Sequence, residues 1–244
     1  MHALIVHCHP EPASFNGALT EVTKATLRER GYSVAISDLY RQGFDPCERA
    51  VHYANRNNGT VFSPLDEQRH AFETDTLPEE VQREIALLER ADLVVFQFPI
   101  WWHGQPAMLK GWFDRVFVNG GLYSSEVRYD RGFFRGRTAV CSVTAGAPEA
   151  AFGPCSRGGD IEQILWSTHY SLHYMGFRVL PPFVALGIQG HGYAYEDHDS
   201  IDCRLARCRE AWKERLKDLD RDAPLRFQGW DDWDADGSAK AAKG

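Results

Sequence analysis

The sequence predicts an α/β fold: one five-stranded parallel sheet with helices on both faces. Three observations predict it. Five short apolar, β-rich runs recur along the chain, and each is followed by a segment with helical spacing. The run ADLVVFQF carries consecutive apolar residues rather than an alternation, as expected when both faces of a strand are covered. Strands that alternate with helices in this way pair in parallel through right-handed crossovers.

ALIVHCH (3 to 9) is the first strand, and the proline-rich PEPAS that follows is a turn. From Asn16 to Arg30 the residues Leu19, Val22, Ala25 and Leu27 recur at helical spacing, and Gly31 ends the helix. YSVAISDL (32 to 39) is the second strand. Residues 40–77 show no clear period and are expected to form a long irregular insertion, a kind of loop that is usually functional. PEEVQREIALLERA (78 to 91) is an amphipathic helix with proline in its first turn. ADLVVFQF is the third strand, followed by a helix from Gln105 to Val118. GRTAVCSVT (136 to 144) is the fourth strand. After a long loop, IEQILWSTHYSLHYM (161 to 175) is a helix closed by Gly176. FRVLPPFVAL is a fifth strand with a proline break, and a last helix runs from about Asp199 to Leu219. Residues 1–220 thus read as one domain, and 221–244 as a polar C-terminal extension with a disordered end.

Composition excludes several classes. A formal net charge of −7 argues against a nucleic-acid binder, which needs a basic face. Six cysteines without a CxxC pair read as reduced thiols in a cytoplasmic protein. No apolar run is long enough for membrane insertion, and the N-terminus lacks the basic region of a signal peptide.

Chemistry is expected where the loops leave the carboxyl ends of the strands. The loop His9-Pro-Glu-Pro-Ala-Ser-Phe-Asn-Gly brings Ser14, Asn16 and a helix start to that edge, a ready anion site. Its bland reading is an ordinary helix cap by Ser14 or Asn16. The third-strand loop carries Pro99, Ile100, Trp101, Trp102 and His103, an aromatic platform. The fourth supplies Thr144, Ala145, Gly146 and Ala147, small residues that let a backbone approach a planar ring. One loop for phosphate and two for a flat ring suit a flavin.

The stretches LIVHCHPEPASFNGAL, DLY at 38 to 40, ADLVVFQFPIWW, PAMLKGWFDRVF, SVTAG and LHYMGFRVL occur here in order. On them the chain resembles the NAD(P)H quinone oxidoreductase (DT-diaphorase-like) flavoproteins. The resemblance implies a flavodoxin-like fold with strand order 2-1-3-4-5 and a homodimer. It also implies a flavin passing hydride by a ping-pong mechanism from NAD(P)H to quinones or similar acceptors. It places His9, Ser14, Phe15 and Asn16 at the flavin phosphates. Pro99 to His103 and Thr144 to Ala147 line the isoalloxazine ring. Tyr123 and Ser124, lent by the partner subunit, close over the substrate with Trp102 and Phe152. FAD is preferred over FMN because the insertion and the C-terminal segment flank the adenine half in this family, and Arg204 or Arg207 matches an arginine there. The alternative is an ancillary regulatory flavoprotein of a potassium efflux-type partner.

The chain departs from the pattern where familiar members hold the flavin O2 edge with a tyrosine and a histidine. Phe152 and Gly158 stand there, and neither side chain can donate. His103 is then the nearest nominee for a catalytic proton donor. His169 and His173, four apart on one helix, have metal-ligand spacing. With no third ligand after Cys208, the expectation is a pair packed at the dimer interface and no metal. His7 is expected in the core, and the loop 190–200 at the surface. Cys141 is expected to be inert and Cys155 exposed without catalytic character.

Overall fold

The computed structural model describes residues 1–188 and 197–240. Strands β1 (His2–His7), β2 (Ser33–Asp38), β3 (Leu93–Pro99) and β4 (Thr138–Thr144) pair in parallel in the order β2-β1-β3-β4. The next position is shared by β5 (Arg178–Val179) and β6 (Phe183–Ala185), both of which pair with β4. The sheet is therefore six-stranded with the predicted path, because Pro181 and Pro182 lack the N–H groups a continuous strand needs.

Alternate strand residues enter different cores. Ala3, Ile5, Val95 and Val140 face α1 (Phe15–Glu29) and α6 (His198–Lys217), where buried Trp212 donates from Nε1 to Thr23 Oγ1 at 2.8 Å. Leu4, Val6, Phe96, Phe98 and Cys141 face the other way, toward α3 (Glu79–Arg90), α4 (Ala107–Val116) and α5 (Ile161–Tyr174). Phe96, Trp112, Phe113 and Phe117 form an aromatic knot there, with ring centroids 5.0 to 5.8 Å apart. In register, His7 lies beside Asp38 and Gln97, Pro99 beside Thr144, and Thr144 beside Ala185. All carboxyl ends therefore meet along one edge.

Residues 40–77 are not irregular throughout. They contain a 3₁₀ turn at Ala50–His52 and a helix, α2 (Pro64–Glu73). Pro64 opens that helix and Asp66 and Glu67 sit in its first turn, both favourable there. Its buried positions are Glu67, Gln68 and Ala71, so no apolar period reveals it. Burial pushes the Glu67 carboxyl up, but the N–H groups of Asn57 and Asn58 and the Arg56 guanidinium hold it below its usual range. The insertion also packs on the α3/α4 face, through Phe44, Tyr53 and Ala71.

The described part of the extension, to residue 240, is tied to the sheet and makes a short turn. Leu225 N donates to Val179 O at 2.8 Å, and a 3₁₀ turn follows at Trp230–Asp232. The expected disordered end at 241–244, and most of the expected surface loop 190–200, lie outside the described residues. Among the described residues, no helix is long and apolar enough to cross a membrane.

Candidate active site at the carboxyl edge of the sheet

Ser14 is the N-cap of α1, its Oγ accepting from Gly17 N at 3.2 Å. The N–H groups of Phe15 and Asn16 find no acceptor among the described residues and stay available to an anion. Gly17 is required here: a Cβ would lie 2.1 Å from the Pro12 carbonyl oxygen, so the loop folds directly over the first helical turn. His9 caps the loop, with Glu11 N donating to its Nδ1 at 3.0 Å, and its ring stands 6.0 Å from that of Trp101.

The Asn16 side chain has a different task from the expected phosphate contact. Its Nδ2 donates to Thr144 Oγ1 at 2.8 Å, and its Oδ1 accepts from Gln97 Nε2 at 2.9 Å. All three residues are buried, so Asn16 braces two strands, β3 and β4, at their carboxyl ends, and what it offers an anion is its main-chain N–H. Sequence reasoning did not single out Gln97. His7 is buried as expected, with Nδ1 2.8 Å from Thr20 Oγ1, and burial holds its pKa below the ordinary value.

The third-strand loop is a two-residue hairpin. Trp101 N donates to Gly104 O at 3.0 Å, and Gly104 N donates back to Trp101 O at 3.2 Å. Its central residues, Trp102 and His103, have φ of +50° and +59°. Such turns belong to Asn and Gly, and bulky residues held there store strain. Trp102 is 99% exposed, and Trp101 and His103 are also exposed. Two aromatic rings are thus held open over the sheet edge at a conformational cost. Pro99 and Ile100 lie below them, and Ile100 N donates to Thr144 O at 2.8 Å.

In the fourth loop, Ala145 N is tied to Ala185 O at 2.9 Å, while Gly146 and Ala147 N–H groups find no acceptor among the described residues. Phe152 and Gly158 are neighbours: a Cβ on Gly158 would lie 3.2 Å from the Phe152 ring and 2.7 Å from Ala151 O. Cys155 is exposed at φ +65°, whereas buried Cys141 has its thiol pushed up to about 12. Beyond this loop a cleft of about 860 Å³ opens between Pro148–Ala150, Leu186 and the α6 residues Arg204, Arg207 and Cys208. Arg204 Nη1 donates to Gly187 O at 3.1 Å.

The edge loops do not include Tyr123 or Ser124. Tyr123 lies on the α4/α5 side with its ring edge-on to Tyr174 at 5.6 Å, beside Phe113, Phe117 and Lys110. Ser124 Oγ accepts from Val127 N at 3.1 Å and shapes the turn after it. The two helical histidines are packed. His173 Nε2 lies 2.9 Å from Gln228 O under the stacked Phe227 ring, and His169 is buried with Nε2 unpartnered. No group of three or more metal-ligating side chains occurs among the described residues.

The sequence profile described as "Flavodoxin-like fold" matches residues 1–216. The chain is 36% identical over 228 residues to NAD(P)H dehydrogenase (quinone) 1 of Cavia porcellus, covering 92% of this chain and 79% of that one. It is 35% identical over 224 residues to the ribosyldihydronicotinamide dehydrogenase (quinone) of Mus musculus, covering 91% and 93%. Among solved structures, a Klebsiella pneumoniae protein described as a quinone reductase superposes with a TM-score of 0.87 at 32% identity, covering 98% of this chain and 94% of that one.

Proposed function

From a chain that belongs to the flavodoxin-like family and is similar to its quinone dehydrogenases, we propose an NAD(P)H dehydrogenase that reduces quinones or similar acceptors through FAD. The observation that carries the reading is the convergence of three loops on one sheet edge. One offers unpaired N–H groups at Phe15 and Asn16, one the open rings of Trp101 and Trp102, and one the bare backbone of Gly146. These residues fit a flavin: the first loop would hold phosphate, and the other two would flank a planar ring.

A bound flavin would supply the hydride chemistry that links NAD(P)H to the acceptor, by the ping-pong mechanism proposed here. The residues of this chain bind and orient. Ser14, Phe15 and Asn16 would hold phosphate at the α1 N-terminus, where the helix dipole favours negative charge. Trp101, Trp102 and His103 on one loop and Thr144 to Ala147 on another would line the planar ring. The N–H groups of Gly146 and Ala147 would be available to charge that develops at the ring. His103 is the proposed proton donor to the reduced acceptor. The cleft beside Arg204 and Arg207 supports FAD over FMN, because it adjoins the fourth loop and offers a place for the adenine half. Tyr123 and Ser124 serve the site of a second copy, since one chain holds them away from its own edge loops.

The experiment measures the flavin released from purified protein, its retention in Arg204→Ala, and NAD(P)H-driven menadione reduction. FAD release, weaker FAD retention in Arg204→Ala with FMN binding unchanged, and menadione turnover are expected. A flavin-bound protein that does not turn over menadione refutes the enzyme reading and leaves the regulatory one. In His103→Phe, rates unchanged from pH 5.5 to 8 reduce His103 to a packing residue.

A further inference from the structure

Tyr129 is held at φ +55°, a conformation that a tyrosine keeps only when its surroundings over-determine it. The surroundings are five rings. Tyr170, His173 and Tyr174 come from α5, with centroids 6.1, 5.6 and 5.0 Å away. Trp230 and Trp233 come from the C-terminal extension, at 5.7 and 4.7 Å. The preceding residue is enclosed by the same group. The Arg128 guanidinium lies 5.1 Å from the Trp230 ring centroid, 5.6 Å from Tyr129 and 5.8 Å from Tyr174, and its Nε is buried without a partner.

Directional bonds fix the register of this contact. Trp230 Nε1 donates to Arg128 O at 3.1 Å, and Trp230 N donates to Asp130 Oδ1 at 2.9 Å. Gly229 lets the strands of chain approach, since a Cβ there would lie 2.9 Å from the Asp130 carboxyl carbon. The extension holds its own shape through a bridge between Trp233 and Ala239. The loop is anchored at its far end as well: Gly132 lies so close to Gly176 that a Cβ would meet its nitrogen at 2.5 Å. Tyr174 touches both Tyr129 and Tyr123, so the rings form a continuous path from the extension to Tyr123.

We propose that the extension is a positioning element for the loop 123–131: Trp230 and Trp233 clamp Arg128 and Tyr129, and through Tyr174 fix the pose in which Tyr123 meets the acceptor. This rests on the reading that Tyr123 closes over an acceptor. Trp230 and Trp233 are specificity-determining by position and touch no reacting atom.

The test compares full-length, flavin-loaded wild type with Trp230→Ala/Trp233→Ala, the conservative Trp230→Phe/Trp233→Phe, and the milder Trp233→Leu. Amide exchange across 123–131 should quicken roughly tenfold in the double alanine variant, given the rings removed. The KM for menadione should rise about fivefold or more with kcat within about twofold, a uniform-binding signature. The phenylalanine pair should restore most of both. Unchanged exchange across 123–131 overturns the clamp. Faster exchange with an unchanged KM overturns the link to Tyr123 while leaving flavin content and turnover, which test the enzyme reading, intact. Faster exchange spread equally over β3 and β4 overturns a local positioning role, and Trp233→Leu provides the same readouts if the double variant does not fold.

Discussion

The turn at Trp102 and His103 stores strain that a substitution should release. Replacing both residues, Trp102→Asn with His103→Gly, installs the pair that a two-residue hairpin with two positive φ angles prefers. Each bulky residue held in the left-handed region costs about 1–3 kcal/mol. Little packing is lost in exchange, because Trp102 is 99% exposed and His103 is exposed too. The new glycine gives back about 0.5–1 kcal/mol through the freedom it has in the unfolded chain. The net gain is therefore about 2 kcal/mol, which for a chain near this size raises Tm by roughly 4–8 °C. The assay is thermal unfolding of flavin-stripped protein, so that altered flavin affinity does not shift the midpoint by linkage. Menadione turnover of the reconstituted variant should fall, since the ring platform is gone. Trp102→Ala is the control: it removes the ring but leaves a Cβ at positive φ, so it should lower turnover with little gain in Tm. A double variant whose Tm is unchanged or lower refutes the strain argument.

Two further outcomes follow from buried groups. Asn16→Leu leaves Gln97 Nε2 and Thr144 Oγ1 without their partner, at about 1–3 kcal/mol for each buried group, and should lower the urea midpoint and release flavin during dialysis. Burial drives the His169 pKa down to about 4, and lowers those of His7 and His173 as well. Unfolded imidazoles protonate near 6.5 and the folded ones resist, so stability is complete above that value and falls as pH drops from 6.5 toward 4. His169 contributes about 3 kcal/mol to that loss, and urea unfolding at pH 7 and 5 should show His169→Phe to be the less pH-dependent protein.

The sheet and its helices were legible because they are written as unbroken apolar runs and helical spacing. α2 was not, since its inward face is Glu67, Gln68 and Ala71, which become buried only because Asn57, Asn58, Arg56 and Asn119 satisfy them. The aromatic pair at Trp101 and Trp102 marked the edge in the sequence, but the positive φ values did not, because nothing in that tetrapeptide carries the usual Asn-Gly signal. The Asn16 brace lay out of reach for another reason. It joins Asn16 to residues 81 and 128 positions away, and only the parallel pairing of β3 and β4 brings those two to the same edge. The contacts of the extension were not legible, because they are made by tryptophans scattered in a polar, glycine-rich segment, without a period.

The loss of a side-chain donor at 158 is built into the path of the loop and not into one residue. Gly158 N donates to Ala151 O at 2.8 Å, and Gly153 N to Gly159 O at 3.0 Å, closing residues 151–159 into a small turn. Gly153, Cys155 and Gly159 all sit at positive φ to make it. A Cβ at 158 is blocked first by a main-chain oxygen at 2.7 Å, and only then by the Phe152 ring. Trimming Phe152 therefore does not make room, and a histidine could enter only if the turn itself were rebuilt. Under the proposed reading, charge at the ring edge then falls to groups that do not titrate, the N–H groups of Gly146 and Ala147. Such donors work equally at any pH at which the fold persists. His103, exposed on the opposite loop, is the side chain proposed to donate a proton to the acceptor, and His103→Phe is the variant that tests it.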